Sequence, residues 1–173
     1  MHIRILAILL CGLAQLGLLI YIPATAAETS MLPAEQPFID LVVVIKSERV
    51  MYLYADNVMI KSFPISLGKQ PLGRKRQSGD QRTPEGAYVL DWRNPNSLYH
   101  LSIHVSYPNM RDRAWATAHH VDAGSNIMIH GQPDYDDEKR SGDWTNGCIA
   151  VSNRAMEFLW QHIREHIPIH ILP

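Results

Sequence analysis

The residues around Cys148 have the types and order expected of a nucleophilic site. Asn146-Gly147-Cys148 follows a polar loop and precedes the apolar segment 149–151, so the thiol lies where a loop enters a strand. Glycine at position 147 permits unusual backbone angles and a close approach by a bound molecule. The backbone N–H groups around Cys148 could then stabilise an oxyanion that forms on an attacked carbonyl. The pattern therefore predicts covalent chemistry on a carbonyl compound, with Cys148 as the nucleophile.

A cysteine nucleophile needs a base, because a free thiol with a pKa of about 8.5 is mostly protonated at neutral pH. Of the nine histidines, His130 stands out because it ends an apolar strand and precedes Gly131. Loop starts of this kind commonly present functional side chains. His104 is the second candidate base, on a strand face that it shares with Ser102 and Ser106, where a structural histidine is more common. We therefore predict that His130 is the base.

Composition and spacing exclude several other classes of function. The 16 basic and 17 acidic residues give a net charge of -1 and a pI near 6.7, so charge does not favour binding to nucleic acid or to an anionic membrane. The histidines and cysteines lack the spacing of a zinc site, and the sequence contains neither a glycine-rich phosphate loop nor a G-x-S-x-G elbow. We expect a site without a metal or a cofactor.

The N-terminus has the layout of a secretory signal peptide. Arg4 precedes the apolar run 5–22, which is followed by small residues up to a predicted cleavage site after Ala26. The run is also long enough to act as an uncleaved membrane anchor. Either form predicts an exported protein of the periplasm or cell envelope. Cleavage would remove Cys11 and leave Cys148 unpaired in an oxidising compartment, where a lone thiol needs a function unless it is simply a buried apolar residue.

The rest of the chain is predicted to be a linker followed by one mainly β domain. Residues 27–39 contain two prolines among small and polar residues and form the predicted linker, and the domain covers residues 40–173. Two short helices are expected, one over 111–118 after the cap Asn109 and one beginning near the cap Asn153. A mostly antiparallel sheet is favoured because strands and helices do not alternate regularly. At least six strands are expected from the segments 41–45, 50–54, 62–67, 87–92, 101–105, 127–130, 148–151 and 167–171.

Three ordered motifs resemble the signature of the L,D-transpeptidase (YkuD-type) catalytic domain family. His130-Gly131, followed after a loop by Thr145-Asn146-Gly147-Cys148-Ile149, is similar to the family pattern H-G … [S/T]-x-G-C-[I/V]. Upstream, Thr83-Pro84-Glu85-Gly86 is similar to the family segment T-P-x-G-x-[F/Y], with Tyr88 in the aromatic position. The resemblance covers the chain from about Leu41 to its C-terminus.

The resemblance implies an L,D-transpeptidase-like β-sandwich with one or two short helices, acting on peptidoglycan stem peptides. Carried over by residue, Cys148 would be the nucleophile and His130 the base, with its imidazole oriented by the carbonyl of Gly131. The backbone amides of Gly147 and Cys148 would form the oxyanion hole. We also expect Thr145, Asn146 and His104 to contact the substrate.

In enzymes of this family the thiolate attacks the carbonyl of the third residue of a tetrapeptide donor and releases the terminal D-alanine. The acyl group then passes to an amine acceptor, whereas water as acceptor would make the site a carboxypeptidase or endopeptidase. Carbapenems are expected to acylate the same thiol, and no stable protein partner is predicted. The remaining alternatives are a sortase, disfavoured because its T-L-x-T-C pattern is absent, and a non-catalytic module that binds the cell wall.

One departure from the family pattern bears on substrate choice. The usual G-C-[I/V]-R sequence has Ala150 in place of its arginine. In addition, the loop 132–143 between the predicted base and nucleophile carries five acidic and two basic residues. Because net negative charge attracts ammonium groups, the sequence predicts that this loop favours amine acceptors.

Overall fold

The computed structural model of the protein describes residues 37–135 and 138–173. Within these residues the chain forms eight strands and two helices, which confirms the predicted mainly β class. The predicted signal peptide and most of the linker lie outside the described residues. In the described part of the chain, no helix is long and apolar enough to cross a membrane. The elements are β1 (Leu41–Ile45), β2 (Val50–Ala55), β3 (Val58–Pro64), β4 (Gly86–Ser97), β5 (His100–Val105), α1 (Met110–Ala118), β6 (Met128–His130), β7 (Ile149–Ala150), α2 (Asn153–His162) and β8 (Ile167–Leu172).

The strands form one curled sheet in the order β3-β2-β1-β8-β4-β5-β6-β7. Five neighbouring pairs are antiparallel, as predicted. The pairs β1–β8 and β6–β7 are parallel, and the sequence pattern did not indicate them. The β6–β7 pair matters most for the site, because it joins the strand that ends at the predicted base to the strand that follows the predicted nucleophile.

The third strand differs in position from the predicted segment 62–67. It begins at Val58, immediately after a turn, and ends at Pro64 on the edge of the sheet, where a residue without an N–H is tolerated. The alternating burial at Ile65 and Leu67 continues past the end of β3. In this segment the chain no longer pairs with β2. It makes single bridges to Ala150 and Thr145, on either side of the predicted nucleophile.

The hydrophobic core supports the two strands that carry the site. Alternate residues of β1 and β2 are buried in it, and α2 contributes Met156 and Leu159, neither of which is exposed. Ile129 and Ile149, next in sequence to His130 and Cys148, also have no exposed area. Burial of a side chain of this size stabilises the fold by about 1.5–3 kcal/mol. The backbone on either side of the site is therefore firmly packed.

The helix caps agree with the sequence in one case and not in the other. Asn109 caps α1 in a reciprocal capping box with Asp112, as its side chain chemistry predicts. The cap of α2 is Ser152, which accepts a hydrogen bond from the backbone of Ala155 at 3.2 Å, and not the predicted Asn153. Asn153 instead accepts from the backbone N–H of Gln132 at 2.7 Å, so its amide fixes the start of the loop after the predicted base.

Ile39, which the sequence pattern assigned to the linker, packs into the core. Ile39 is 1% exposed and belongs to the core. Its backbone N–H donates to the carbonyl of His162 at 2.9 Å. The sequence around Ile39 is polar and rich in proline, so its burial was not predictable. That burial depends on a contact with a segment far away in the sequence.

Candidate active site

Parallel pairing of β6 and β7 brings the predicted nucleophile and base together. Ile129 pairs with Ile149, and His130 with Ala150. Cys148, one residue before β7, is therefore set beside the start of β6, and residues two apart along a strand share a face. Cys148 and His130 accordingly line one cavity of about 390 Å³.

The imidazole of His130 is held in a single orientation. Its Nδ1 lies 2.8 Å from the carbonyl oxygen of Gly131, as the resemblance implied. A carbonyl oxygen only accepts hydrogen bonds, so Nδ1 carries the proton and Nε2 has the lone pair. The ring of Tyr99 lies 4.6 Å from the imidazole and that of Trp144 lies 5.6 Å away, both centroid to centroid. The ring is 96% buried and aligned to accept a proton at Nε2.

Burial sets the resting protonation of the two groups. It raises the pKa of the Cys148 thiol above its ordinary value of 9.0, although hydrogen bonding to the Met128 backbone and the charge of Lys75 act in the opposite direction. Burial also lowers the pKa of His130 below 6.5, opposed by the hydrogen bond to Gly131. The neutral thiol and neutral imidazole are therefore favoured at neutral pH, and a preformed thiolate–imidazolium pair is not. In the neutral pair, the histidine acts as a general base that takes the thiol proton during attack.

The turn before Cys148 is closed by the hydroxyl of Thr145. Its Oγ1 accepts from the backbone N–H of Gly147 at 3.1 Å and donates to the carbonyl of Cys148 at 2.7 Å. Thr145 is 4% exposed and lines the cavity beside Cys148, while its hydroxyl is engaged within the protein. The same bond occupies the Gly147 amide expected in the oxyanion hole, which would have to give up Thr145 to bind an oxyanion. The Cys148 amide does not have this competitor.

The backbone at Gly147 requires glycine. Its φ of +131° lies in a region that residues with a side chain rarely adopt, and an added Cβ would lie 2.8 Å from the carbonyl oxygen of Arg82. The preceding loop presses against the turn because Thr83, which is fully buried, accepts from the backbone of Gly68 at 3.0 Å. The buried Lys46 ties down the same segment, donating to Thr83 and to Glu85 at 3.1 and 2.8 Å. The T-P-x-G motif thus supports the turn from behind.

We predict that Gly147→Ala lowers the free energy of unfolding by about 2–3 kcal/mol, because it adds both backbone strain and a steric clash. Gly142→Ala is the matched control, since Gly142 also has a positive φ, +68°, but no atom lies within 4 Å of its added Cβ. Strain alone should cost about 1 kcal/mol there. Denaturant titration of both variants measures the difference, and equal losses would show that the contact with Arg82 is unimportant.

Of the other two residues predicted to contact the substrate, one lines the cavity and the other does not. Asn146 is exposed and lines the cavity beside Cys148. His104 does not line this cavity. Its Nδ1 lies 2.7 Å from Oδ1 of Asp91, and its ring stacks on Trp92 at 4.8 Å. A local carboxylate and an aromatic ring hold the imidazole away from the site.

Several residues that line the cavity were missed by sequence reasoning. Three aromatic rings lie close to one another beside the imidazole, those of Tyr99, Tyr135 and Trp144. The cavity wall also includes Lys69 and Arg140, and no Asp or Glu among the described residues. The aromatic residues of loop 132–147 are a weak signal in the sequence, whereas Tyr99 and Lys69 come from distant loops. Only the fold brings them together.

Among the described residues, the acidic side chains of loop 132–143 do not line the cavity beside Cys148. Asp143 makes an ion pair with Arg49 at 2.7 Å and accepts from the backbone N–H of Leu67. The carboxylate of Glu138 lies 4.0 Å from the guanidinium of Arg140. Asp136 and Asp137 lie outside the described residues. Asp143 thus braces the end of the loop against the protein, whereas the contact of Glu138 lies within the loop.

Ala150, which replaces the arginine of the family pattern, is buried between two neighbouring segments. It is 1% exposed, pairs with His130 on one side and exchanges backbone hydrogen bonds with Ser66 on the other. It lines a separate groove of about 720 Å³, which is also lined by residues of loop 132–143. Arg140 borders both the groove and the cavity. It is therefore a cation near the site at a position different from that of the family arginine.

Comparison with known proteins agrees with the motifs. The sequence model of the YkuD family, the L,D-transpeptidase catalytic domain, matches residues 39–171. The candidate L,D-transpeptidase YafK of Escherichia coli strain K12 is 30% identical over 128 residues, which cover 69% of this chain and 45% of YafK.

Two solved structures are similar over most of the described residues. The helical cell shape determining protein Pgp2 of Campylobacter jejuni is 26% identical with a TM-score of 0.62, over 78% of this chain and 48% of Pgp2. Bd1075 of Bdellovibrio bacteriovorus is 28% identical with a TM-score of 0.58, over 78% of this chain and 48% of Bd1075. The chain therefore spans less than half the length of these relatives.

Proposed function

The chain belongs to the L,D-transpeptidase catalytic domain family, and from this premise we propose that it transfers acyl groups of peptidoglycan stem peptides through a Cys148 thioester. The observation that carries the proposal is that Cys148 and His130 line one cavity while Nδ1 of His130 is fixed by Gly131. Nε2 is then the site that takes the thiol proton.

The chemistry proceeds in two half-reactions. As the sulfur of Cys148 attacks the carbonyl carbon of the third stem residue, the thiol proton passes to Nε2 of His130. The Cys148 amide donates to the oxyanion, joined by Gly147 if it exchanges its bond to Thr145. Collapse breaks the peptide C–N bond, and the leaving amine takes the proton from His130. An amine or water then attacks the thioester, returns its proton through His130 to sulfur and restores the thiol.

Water and amines remain competing acceptors in this proposal. Transfer to an amine makes a cross-link, and transfer to water makes the protein an L,D-carboxypeptidase or endopeptidase. The described acidic side chains of loop 132–143 do not line the cavity, so they give amines no local advantage over water. Hydrolysis is therefore retained beside transpeptidation. The substrate lies outside the cytoplasmic membrane, so the proposal also requires export to the periplasm or cell envelope, consistent with the N-terminal sequence pattern.

The deciding experiment follows the protein and the products together. We expect the protein to gain the mass of a tripeptidyl group when mixed with a stem tetrapeptide, and to release D-alanine. A carbapenem should add its intact mass to the same thiol. Intact-mass spectrometry measures both adducts, and peptide mapping assigns them to Cys148. An unmodified mass with both reagents, and no released D-alanine, would favour the non-catalytic wall-binding alternative.

A further inference from the structure

A bulge in β4 sets two side chains opposite one residue of β5. The register of these strands shifts between Leu90 and Arg93, so that Asp91 and Trp92 both lie opposite His104. Both contact its imidazole. Oδ1 of Asp91 lies 2.7 Å from Nδ1, and the indole ring stacks on the imidazole at 4.8 Å, 17° from parallel. Because bulges re-aim side chains and are frequent beside active sites, the position of Trp92 is of functional interest.

The bulge lies on the same row of the sheet as the proposed nucleophile. His104 pairs with Met128 on β6, and the register of β6 and β7 continues to place Met128 beside Cys148. Paired residues of neighbouring strands project from one face of a sheet. Met128 and Cys148 both line the cavity that contains His130. The row therefore leads outward from the reacting sulfur and ends at Trp92.

Trp92 has one ring face covered and the other open. Among the described residues, only the imidazole of His104 stacks on the indole, and Trp92 is 42% exposed. The open face of such a ring carries partial negative charge, which suits the weakly positive C–H groups on one face of a sugar ring. The carboxylate of Asp91 is partly exposed beside the indole, and it holds His104 through Oδ1 only. Its Oδ2 can accept from a sugar hydroxyl.

The distance from the sulfur to the indole matches the length of the donor on its acyl side. Three strand spacings separate β7 from β4, or about 14 Å at about 4.8 Å each. The three stem residues that end in the reacting carbonyl span about 10–11 Å when extended. The lactyl group that joins them to the glycan strand adds further length. The leaving D-alanine is a single residue and is too short to reach Trp92.

We propose that Trp92 is a platform for a sugar ring of the glycan strand that carries the donor stem peptide. The proposal rests on the proposed function and adds to it the substrate class, which is stem peptide attached to glycan rather than free peptide. Asp91 accepts from the sugar at the edge of the platform. His104 acts through Trp92 and is a positioning residue. A free stem peptide ends before the platform, so its turnover does not depend on this cluster.

The test compares two donors, a free stem tetrapeptide and the same tetrapeptide attached to its disaccharide. Released D-alanine is measured without an added amine. We expect the wild-type protein to prefer the glycan-linked donor by about 3- to 10-fold in kcat/KM, the value of one aromatic contact. Trp92→Ala should lose this preference through a higher KM for the glycan-linked donor, with kcat unchanged, because the platform is remote from the reacting atoms. Trp92→Tyr should keep most of the preference.

Phe38→Ala is the matched control, because Phe38 is a similarly exposed aromatic residue that packs against Arg164 and does not line the cavity at Cys148. It should keep the preference for the glycan-linked donor. If Trp92→Ala does not fold, Trp92→Leu tests the same expectation with an apolar side chain that lacks the ring.

Three results would contradict these proposals, and they are distinguishable. Equal kcat/KM of the wild type for the two donors would overturn the platform and leave the proposed function standing. A preference that survives loss of the ring at Trp92, or that is lost equally in Phe38→Ala, would also overturn the platform alone. Absence of a Cys148 thioester and of released D-alanine with both donors would overturn the proposed function itself.

Discussion

Cys148→Ala is expected to abolish turnover of stem peptides, with a loss of about 10⁴-fold or more, because no other group forms the acyl intermediate. The fold should survive. The residue is only partly buried, and its sulfur makes weak contacts with the backbone, one of them 3.7 Å from the carbonyl oxygen of Asn126. Released D-alanine measures the activity, and thermal unfolding measures the stability.

Cys148→Ser is the companion variant, since it keeps the shape of the side chain and replaces the sulfur with a weaker nucleophile. It should stay folded, lose most of its turnover and fail to react with thiol reagents. Wild-type turnover in Cys148→Ala would disprove the thioester mechanism. Unfolding of Cys148→Ala with a stable Cys148→Ser would show instead that position 148 has a structural role.

The sequence was most informative where chemistry and local geometry coincide. The order His130-Gly131 and Gly147-Cys148 indicated a candidate imidazole and thiol, and the resemblance to the family implied that they share a site and that the Gly131 carbonyl orients the ring. Both relations depend on neighbours in the chain or on one pair of adjacent strands. Strand β1 and the cap at Asn109 were predictable for the same reason, since their hydrophobic period and capping chemistry are local.

Relations between distant segments were not predictable from the pattern. His104 kept its expected strand face but pairs with Asp91 on the neighbouring strand. Lys69 reaches the cavity because loop 68–83 folds back against the turn before Cys148. Each of these contacts depends on a register between strands or loops that a single sequence does not specify.

The protonation states of Cys148 and His130 were also not predictable from the sequence. Proximity of an imidazole to a thiol suggests a thiolate–imidazolium pair. Burial acts in the other direction here, raising the pKa of Cys148 and lowering that of His130. The two models predict different behaviour at low pH. An ion pair supplies a reactive thiolate below pH 6, and a neutral pair does not.

His130→Ala is expected to reduce stem-peptide turnover by about 10²- to 10⁴-fold, the usual contribution of a positioned general base. His104→Ala is the control and should change turnover little, because its ring is bound to Asp91 and does not line the cavity.

In the wild type, kcat/KM should fall on the acid side only below pH 6.5, where His130 becomes protonated. On the alkaline side it should fall above pH 9.0, because ionisation of the thiol removes the proton that His130 passes to the leaving amine.

Alkylation of the thiol by iodoacetamide separates the base from an ion-pair partner. If the resting pair is neutral, the alkylation rate of the wild type rises with a single ionisation above pH 9.0. His130→Ala then alkylates at a similar rate near pH 6 although its peptide turnover has collapsed, because the base acts on the proton during attack. A fast alkylation shoulder near pH 6 that disappears in His130→Ala would mean that the ion pair exists and that burial does not control the thiol. If the shoulder disappears in His104→Ala instead, His104 is the residue that activates the thiol. The reason is that only loss of the imidazole coupled to the sulfur abolishes the shoulder.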